Sequence, residues 1–561
     1  MNNENQGRQE VAAGLEAAPR KTGSKKWIMS SIMAAVVLVS AIVVYGFMSN
    51  KSPKEAYLQA EYNSFVQAQE TFEENYGDLL ELQEKAESES YSSQLDISGN
   101  FDVQLETPDP TLMMVQGLLE QINISVDTQT DVKNEQNYVK LGVELQGTTV
   151  ADAEMIQSGD QVGVRVPLAY SDILYLDTTQ FGEFMRRIDP YYVGPDTLNL
   201  DTIKLSDLKL TDDEKAALKE TYGKLLIDQL AEENFTREDG VSVDIKGVNV
   251  KADKIELTLS ESEVKSLLKE FLTTAAEDET LHNIIIDRYQ LIVETAQLEA
   301  DPTVTLLSPE DLKAELVAGL EEAANNVDQL VLESGIKSTI WVNSDEQIVQ
   351  RQIMFEVAGV EPVEVVLSTY NVENDGKQLK EFKVNASGAE DTGGYLAITS
   401  ETEGEGTDRK VKTDIALNAK EFGEEIINAV FTIDSAYEAG KGNEVKSVHD
   451  FNLDLGSALL AQSGGFYLNG TVEDTKDINL KDDYANQTTN VTVNVGDDYQ
   501  GGTIELKLDS KTEFKAIEIP SLEGGVNVME LSDEELMSLA EEMMYNLENA
   551  VNGLMGQFGA F

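Results

Sequence analysis

Residues 363–384, with the sequence VEVVLSTYNVENDGKQLKEFKV, contain the pattern that decides the fold class. Residues 363–370 are rich in β-branched side chains, and a second strand-like run follows at residues 382–384, as is typical of paired β-strands. The link between them contains Asn374-Asp375-Gly376, and these residue types favour a tight turn because they tolerate a left-handed backbone. The stretch therefore predicts a β-hairpin.

Strand-like runs continue on both sides of this hairpin. Within residues 335–520 they lie at residues 348–355, 395–398, 411–417, 427–433, 445–455, 465–473, 489–495 and 503–508. Nearer the N-terminus they lie at residues 93–105, 122–132, 138–145 and 162–166. Many short strands separated by turn residues predict large antiparallel meander sheets, open or rolled into a half-barrel. The apolar segment 111–120, TLMMVQGLLE, is predicted to be a short covering helix or lid.

Capping residues in the sequence predict where helices start. The tetrapeptide SPKE at residues 52–55 begins a predicted helix over residues 52–90, with Ser at the cap, Pro at the first position and Glu at the third. Its apolar stripe favours packing on the following domain over a membrane stalk. Four later helices are predicted from closely similar starts at Thr211, Ser260, Ser308 and Ser532.

The segments LSESEVKSLLKEF (259–271) and LSDEELMSLAEEM (531–543) agree beyond the capping residues. Two explanations are open. Every helix start has the same unpaired amides to satisfy, so similar capping residues can arise independently, or the two segments can descend from an ancestral duplication. The helix at about residues 532–555 is amphipathic. We expect it to cover one face of the sheet or to line its mouth.

Together these elements predict an α+β protein, in which large antiparallel sheets are covered by amphipathic helices after one N-terminal transmembrane helix. The predicted units are a cytoplasmic tail at residues 1–26, the transmembrane helix at 27–48, a juxtamembrane helix at 52–90, a first sheet-and-helix domain at 91–300, a connecting helix at 301–333, and a second meander domain with its covering helix at 334–561.

The transmembrane prediction rests on 22 uncharged residues from Trp27 to Met48. As a helix they would span roughly 33 Å, enough for a hydrocarbon core of about 30 Å. A cleavable signal peptide is the alternative, but its apolar stretch would be shorter and would end at small residues. The run is preceded by Arg20, Lys21, Lys25 and Lys26 and followed by Lys51 and Lys54. The excess of positive charge before the run predicts a cytoplasmic N-terminus and an extracytoplasmic bulk.

The composition excludes several classes of protein. The 561 residues include 42 Lys and Arg against 103 Asp and Glu, a formal charge of −61, and no Cys. Nucleic acid is not expected as a partner because phosphate binding requires clustered basic residues. The absence of Cys excludes disulfides, thiol catalysis and thiolate metal sites. The acidic surface either keeps the domain soluble, selects basic partners or suits salty surroundings.

The sequence contains no complete motif for catalysis or for binding a metal ion or a cofactor. The two histidines, His282 and His449, have no metal-motif partner nearby, and we expect His282 to be at the surface or half-buried. Residues 371–376 resemble the first half of a calcium loop, but Phe382 stands where a bidentate Glu is required, so a hairpin turn is expected instead. No nucleophile motif or phosphate loop is complete. We predict no catalytic, metal or cofactor-binding residues, no cofactor and no enzyme activity.

Three stretches resemble a family of large single-pass envelope proteins of Gram-positive bacteria: the N-terminal apolar run, the segment KIELTLSESEVKSLLKEFLTTAAEDETLHNII (254–285) and the closing segment (518–555). That family is uncharacterised, so the resemblance implies a location and no activity. A curved antiparallel sheet covered by helices is also similar to bacterial lipoprotein-carrier folds, which hold acyl chains in an apolar concavity. This second likeness rests on architecture alone.

These inferences predict a single-pass protein of the cell membrane that binds or scaffolds envelope components on the extracytoplasmic side. The alternative is a carrier of a lipid or other amphiphile in a cavity between sheet and helices, which would require about 300–1,000 Å³ lined by Leu, Met and Phe. The expected partners are the membrane, through one span, and an envelope protein or amphiphile. The oligomeric state is left open.

Overall fold

The computed structural model describes residues 52–104, 116–117, 120–200, 204–295, 306–358 and 362–558. The strands are β1 (Tyr91–Gln104), β2 (Ile122–Asp131), β3 (Gln136–Leu145), β4 (Thr148–Ser158), β5 (Gln161–Val166), β6 (Tyr170–Asp177), β7 (Phe235–Ile245), β8 (Val248–Leu259), β9 (Ile336–Val342), β10 (Ile348–Val357), β11 (Val363–Asn374), β12 (Lys377–Ser387), β13 (Gly393–Glu405), β14 (Asp408–Glu421), β15 (Glu424–Ala439), β16 (Glu444–Leu455), β17 (Tyr467–Asn479), β18 (Tyr484–Gly496), β19 (Gly501–Phe514) and β20 (Val526–Asn527). The helices are α1 (Pro53–Ser88), α2 (Phe181–Ile188), α3 (Leu205–Leu208), α4 (Asp212–Leu218), α5 (Lys224–Gln229), α6 (Glu261–Glu277), α7 (Glu279–Thr295), α8 (Pro309–Asn326), α9 (Ser457–Ser463) and α10 (Asp533–Phe558).

The predicted hairpin at residues 363–384 is present as β11 and β12. These strands pair antiparallel from Glu364↔Ser387 to Asn374↔Lys377. The turn residues Asp375 and Gly376 have φ of 50° and 77°, the combination that a two-residue hairpin turn requires.

One sheet joins all 20 strands found in the described residues. From β7 to β19, each strand pairs with the next strand in the chain. This includes β8 and β9, although the helices α6, α7 and α8 lie between them in the sequence. Strand β19 then pairs antiparallel with β1, from Tyr91↔Phe514 to Gln104↔Gly501, and the sheet continues through β2 to β6. The short strand β20 lies parallel to β6. The β1–β19 pairing makes the sheet continuous.

Helices cover the two ends of this sheet. At one end, α1 and α6 enclose a core with β7–β9, in which Ile255 and Ile340 are 1% and 0% exposed. At the other end, Phe181 and Phe184 of α2 pack near Val162 on β5. A separate helical core forms where Tyr222 and Phe271 pack with α8. Within the described residues, no helix covers the strands between the two ends in this way.

The long helix α1 runs along the hairpin turns at one edge of the sheet. Its 36 residues span about 54 Å at about 1.5 Å per residue. Near its start Lys54 donates to the carbonyl of Leu230 at 2.6 Å, and near its end Lys85 pairs with Asp483 at 2.5 Å. The helix predicted over residues 52–90 is therefore present, and its first turns are packed on the sheet, whereas Phe72 and Tyr76 in its second half are 52% and 51% exposed.

The predicted helix starts are also present. Thr211 with Glu214 and Ser260 with Glu263 form capping boxes, and Ser532 and Glu535 exchange the same hydrogen bonds. Helix α6 buries Val264 and Phe271, whereas most of α10 is exposed. The two similar segments therefore occupy different surroundings, and their common ancestry stays a hypothesis.

The predicted fold class is wrong. The chain forms one mostly β architecture, and not an α+β arrangement of several sheets each covered by helices, because β19 pairs with β1 and β8 with β9. The predicted covering helix α10 contacts the β6 end of the sheet and leaves the central strands open. The predicted domain boundaries stay a prediction.

The predicted transmembrane residues, Trp27 to Met48, lie outside the described residues, as does most of the predicted lid at 111–120. None of the helices within the described ranges combines the length and the apolarity needed to cross a bilayer.

Candidate functional site: an uncovered apolar band on the sheet

Directly paired residues of adjacent antiparallel strands point to the same face of a sheet. One such row crosses the central strands of this sheet and consists of apolar residues. It is formed by Phe382, Ile398, Ile415, Phe431, Leu453, Leu468 and Val495 on β12 to β18. The same face of the sheet is therefore apolar on each of these strands.

We call the apolar part of this face the apolar band. It extends over strands β12 to β19 and β1 to β5. Its main residues are Phe382, Val384, Leu396, Ile398, Ile415, Leu417, Phe431, Ile433, Phe451, Leu453, Leu468, Val472, Val491, Val493, Ile504, Leu506, Leu508, Leu95, Ile97, Phe101, Ile124, Val126, Leu141, Val143, Met155 and Val164.

The opposite face is polar along the same strands, and we call it the polar face. On this face, one row of directly paired residues crosses β12 to β19. It consists of Glu381, Thr399, Asp414, Thr432, Asn452, Asn469, Asn494 and Thr503. Neighbours in this row bond to each other: Asn494 donates to Asn469 at 3.0 Å, and Thr503 donates to Asn494 at 2.8 Å. The polar side chains are thus held in a ladder.

The apolar band is open to solvent over most of its length, except at its β4–β5 end, where Met155 packs in the core with Val162 and Phe181. Leu417 is 44% exposed, Leu506 42% and Leu141 44%, although they lie on three distant strands. At the covered end of the sheet, by contrast, Ile255 is 1% exposed. Water-soluble chains rarely leave so continuous an apolar surface without a partner. The band is therefore the leading candidate for a functional surface.

The dimensions of the band follow from strand geometry. Its 13 strands in series at about 4.8 Å per strand extend over about 58 Å. Along the strands it is narrower: Ile504, Leu506 and Leu508 cover about 13 Å of β19, and Leu95 to Phe101 cover about 20 Å of β1, at about 3.3 Å per residue. The area is therefore of the order of 750 Å², above the roughly 300–600 Å² of the largest patch on a typical monomer.

One margin of the band is a hydrogen-bonded polar cluster. The imidazole of His449 has Nδ1 2.8 Å from the Ser435 hydroxyl and Nε2 3.0 Å from the Ser447 hydroxyl. On the next strand Asp474 accepts hydrogen bonds from Gln487 and Thr489. Burial lowers the pKa of His449, and the nearby Asp474 opposes that shift, so the cluster is uncharged at His449 near neutral pH.

The predicted exposure of the other histidine is wrong. His282 is 1% exposed and not at the surface or half-buried. Its Nε2 lies 2.8 Å from the carbonyl of Ala275 in the helical region. Within the described residues no group of three or more His, Cys, Asp or Glu side chains is arranged to hold a metal ion, and residues 371–376 form the end of β11 and a hairpin turn.

The pockets bordered by described residues do not match the predicted amphiphile cavity. One of about 590 Å³ beside α1 is lined mostly by polar residues such as Asn343, Asn371 and Gln378. Another, of about 380 Å³, is lined by Asp477, Asp483 and other polar residues. Neither has the lining of Leu, Met and Phe that such a cavity requires. The apolar side chains are instead spread over the open band.

Comparisons with known proteins give no family. No protein-family model matches the chain, and no curated protein matches it. Solved structures match at very low similarity. OccK7 (OpdD) of Pseudomonas aeruginosa has 7% identity and a TM-score of 0.22, with 76% of this chain and 99% of that chain covered. A BenF-like porin from Pseudomonas fluorescens Pf-5 has 6% identity and a TM-score of 0.23, covering 76% and 98%. An anion-selective porin from Comamonas acidovorans has 8% identity and a TM-score of 0.19, covering 76% and 99%.

These findings correct the resemblance drawn from the sequence. The predicted membership of a Gram-positive single-pass envelope family is wrong: no family model matches the chain, and its described residues form one 20-stranded sheet in place of the helix-covered ectodomain on which the resemblance was drawn. The likeness to lipoprotein carriers is wrong as well. TM-scores of 0.19–0.23 do not establish a shared fold, so no activity is transferred from these proteins to this chain.

The same findings overturn the predicted function, location and partners. The predicted extracytoplasmic scaffold, held in the cell membrane by one span with an envelope protein as partner, is wrong as well, because one 20-stranded sheet with exposed apolar side chains replaces the helix-covered ectodomain on which it was based. The alternative, an amphiphile carrier with a cavity, is also wrong, for the reason seen in the pocket linings. That the chain is not an enzyme stays a prediction. Among the features described above, the apolar band is the strongest candidate for a functional surface.

Proposed function

We propose that this protein associates with lipid surfaces through its sheet, with the apolar band lying on hydrocarbon and the polar face turned to water. The observation that supports this most directly is the separation of the apolar and the polar face on the eight strands β12 to β19, with Leu417 and Leu506 more than two-fifths exposed. An apolar face opposite a charged face is the arrangement by which amphipathic helices lie in the membrane interface.

The area of the band is large enough for stable contact. At about 25 cal/mol per Å², removing about 750 Å² of apolar surface from water provides an upper limit of about 19 kcal/mol before the costs of association. The true gain is smaller because the side chains are already half-buried. One third of it, about 6 kcal/mol, corresponds to half-maximal binding at tens of micromolar lipid.

The height of the band favours a flat orientation. A sheet that crosses a bilayer needs an apolar zone about 25 Å tall, whereas the band covers about 13 Å on β19 and about 20 Å on β1. The turns at the two edges of the sheet also carry charges such as Asp391 and Asp408, which are costly in hydrocarbon. A sheet that lies in the interface avoids both problems.

The charge of the chain selects among lipids. With a formal charge of −61, the protein is repelled by anionic headgroups within a Debye length of about 8 Å. The preferred surface is therefore a neutral one, such as phosphatidylcholine.

Single cysteine labels test the proposal, because the chain has no Cys of its own. Leu417→Cys places an environment-sensitive fluorophore on the band, and Ala416→Cys places it on the polar face of the same strand. We expect phosphatidylcholine vesicles to shift the emission of the label at 417 to shorter wavelength and to leave the label at 416 unchanged. Adding phosphatidylglycerol should weaken the shift, and salt should restore it.

The comparison of the two labels isolates the sheet from the apolar run at residues 27–48, which is present in both proteins. Circular dichroism of the labelled proteins controls for folding. Equal responses at 416 and 417, or no response at 417, would show that the band does not contact lipid.

A further inference from the structure

Helix α10 carries an apolar stripe that faces solvent. Met537, Ala540, Met544, Leu547 and Val551 follow at alternating intervals of three and four residues, which is the a and d pattern of a coiled coil. Met537 is 66% exposed, Met544 71% and Val551 54%. We call these five residues the α10 seam. Scattered exposed apolar residues are ordinary, but a seam at heptad spacing is the contact surface for another helix.

A different stripe holds α10 to the rest of the protein. Leu536, Leu539 and Met543 are half-buried, and Asn546 donates to the carbonyl of Ala169 at 3.0 Å. At the start of the helix Asp533 pairs with Arg187 at 2.9 Å. The helix is thus fixed on one side while the α10 seam is left open on another.

Carboxylates border the α10 seam at the same period. Glu534, Glu541 and Glu548 recur every seven residues, so all three occupy the e position if Met537 is at a. All three are exposed. The helix Asp533–Phe558 contains six acidic residues and no Lys, Arg or His. Charges at e and g positions decide which helix pairs with which.

We propose that α10 is the docking helix for a basic amphipathic helix of a partner protein. Apolar residues of the partner would cover the α10 seam, and its Lys or Arg side chains would pair with Glu534, Glu541 and Glu548. A second copy of α10 is a poor occupant, because it would bring another six carboxylates against the first six. The proposal does not depend on lipid binding by the band.

Two synthetic peptides test this with the full-length protein. Both have three heptads with Leu at a and d, and they differ in carrying Lys or Glu at every e and g position. We expect the Lys peptide to bind at least tenfold more tightly by fluorescence anisotropy, with an affinity that falls as salt rises. Met544→Glu, in the middle of the α10 seam, should reduce this binding at least tenfold.

A charge reversal provides the sharper test. The triple variant Glu534→Lys, Glu541→Lys and Glu548→Lys should exchange the preference, so that the Glu peptide binds more tightly. The control variant Ser538→Lys, Glu542→Lys and Asn549→Lys adds three cations at exposed positions outside the e row. It should keep the preference for the Lys peptide.

Several results would overturn the proposal. Equal binding of the two peptides, or no binding of either, would remove the coiled-coil interpretation. Self-association in sedimentation that Met544→Glu abolishes would assign the α10 seam to a second copy. Loss of vesicle binding in Met544→Glu would assign it to lipid, whereas the 416 and 417 labels report on the band independently.

Discussion

Replacing Arg351 by Met would leave a buried carboxylate without its cation. Arg351 on β10 forms an ion pair with Glu61 of α1, and the two side chains are 22% and 13% exposed. One turn earlier in α1, the Tyr57 hydroxyl bonds to Ser338 at 2.7 Å. The pair therefore lies where the long helix is fixed to the sheet.

The magnitude follows from the burial of the pair. Removing one partner of a buried pair costs about 3–5 kcal/mol, and the partial exposure here reduces the expected loss to about 2–4 kcal/mol at pH 7. Burial raises the pKa of Glu61, and Arg351 is the strongest influence that lowers it. Without Arg351 that pKa rises further.

The pH dependence has a definite sign. A carboxyl group with a raised pKa in the folded state binds more protons folded than unfolded, so stability falls as pH rises from the unfolded pKa, about 4.3, through the folded one. We expect Arg351→Met to lose most stability at pH 7 and much less at pH 4.5, each relative to the wild type at the same pH.

Urea unfolding followed by the fluorescence of Trp341, on the neighbouring strand β9, measures these losses. The double variant Glu61→Gln with Arg351→Met should recover at least half of the loss at pH 7, and Lys507→Met on the polar face serves as a control for lost charge. A variant as stable as the wild type at pH 7, or a loss that grows toward acid pH, would refute the reasoning.

Two further predictions concern the helical core and the β11–β12 hairpin. Phe271→Ala should destabilise the protein by about 3–5 kcal/mol, because Phe271 is 2% exposed and packs 5.2 Å from the ring of Tyr222; the urea midpoint measures this, and a loss under about 1 kcal/mol would contradict it. Gly376→Ala should cost about 1 kcal/mol, since Gly376 has φ of 77° and open space around it. An Ala variant with unchanged stability would show that the turn can relax.

Much of the local structure could be predicted from the sequence. The strand runs and the Asn374-Asp375-Gly376 turn depend on side-chain alternation and on residues that accept a left-handed backbone, both of which are local properties. The helix starts depend on Ser or Thr with an acid three residues later. The apolar band also left a signal: Phe382, Ile398 and Ile415 each lie in an alternating run. Aligning these runs by face would have exposed it.

The pairing of the strands left no comparable signal. β1 pairs with β19 although about 400 residues of chain lie between them, and backbone hydrogen bonds are the same for every residue type except Pro. The same limit explains why the exposure of His282 was predicted wrongly. The sequence of its helix does not show which elements pack against it, and its burial depends on the neighbouring helices. The fold class was missed for this reason.

The amino-acid sequence by itself determined the strands, their turns and the apolar and polar side of each, because these follow from a period of two and from single-residue backbone preferences. Only the tertiary structure decided that the strands join in one sheet, that helices cover its ends and that the band and the α10 seam stay open. Whether an apolar face is buried depends on which distant element reaches it, and that is set by the packing of the whole chain.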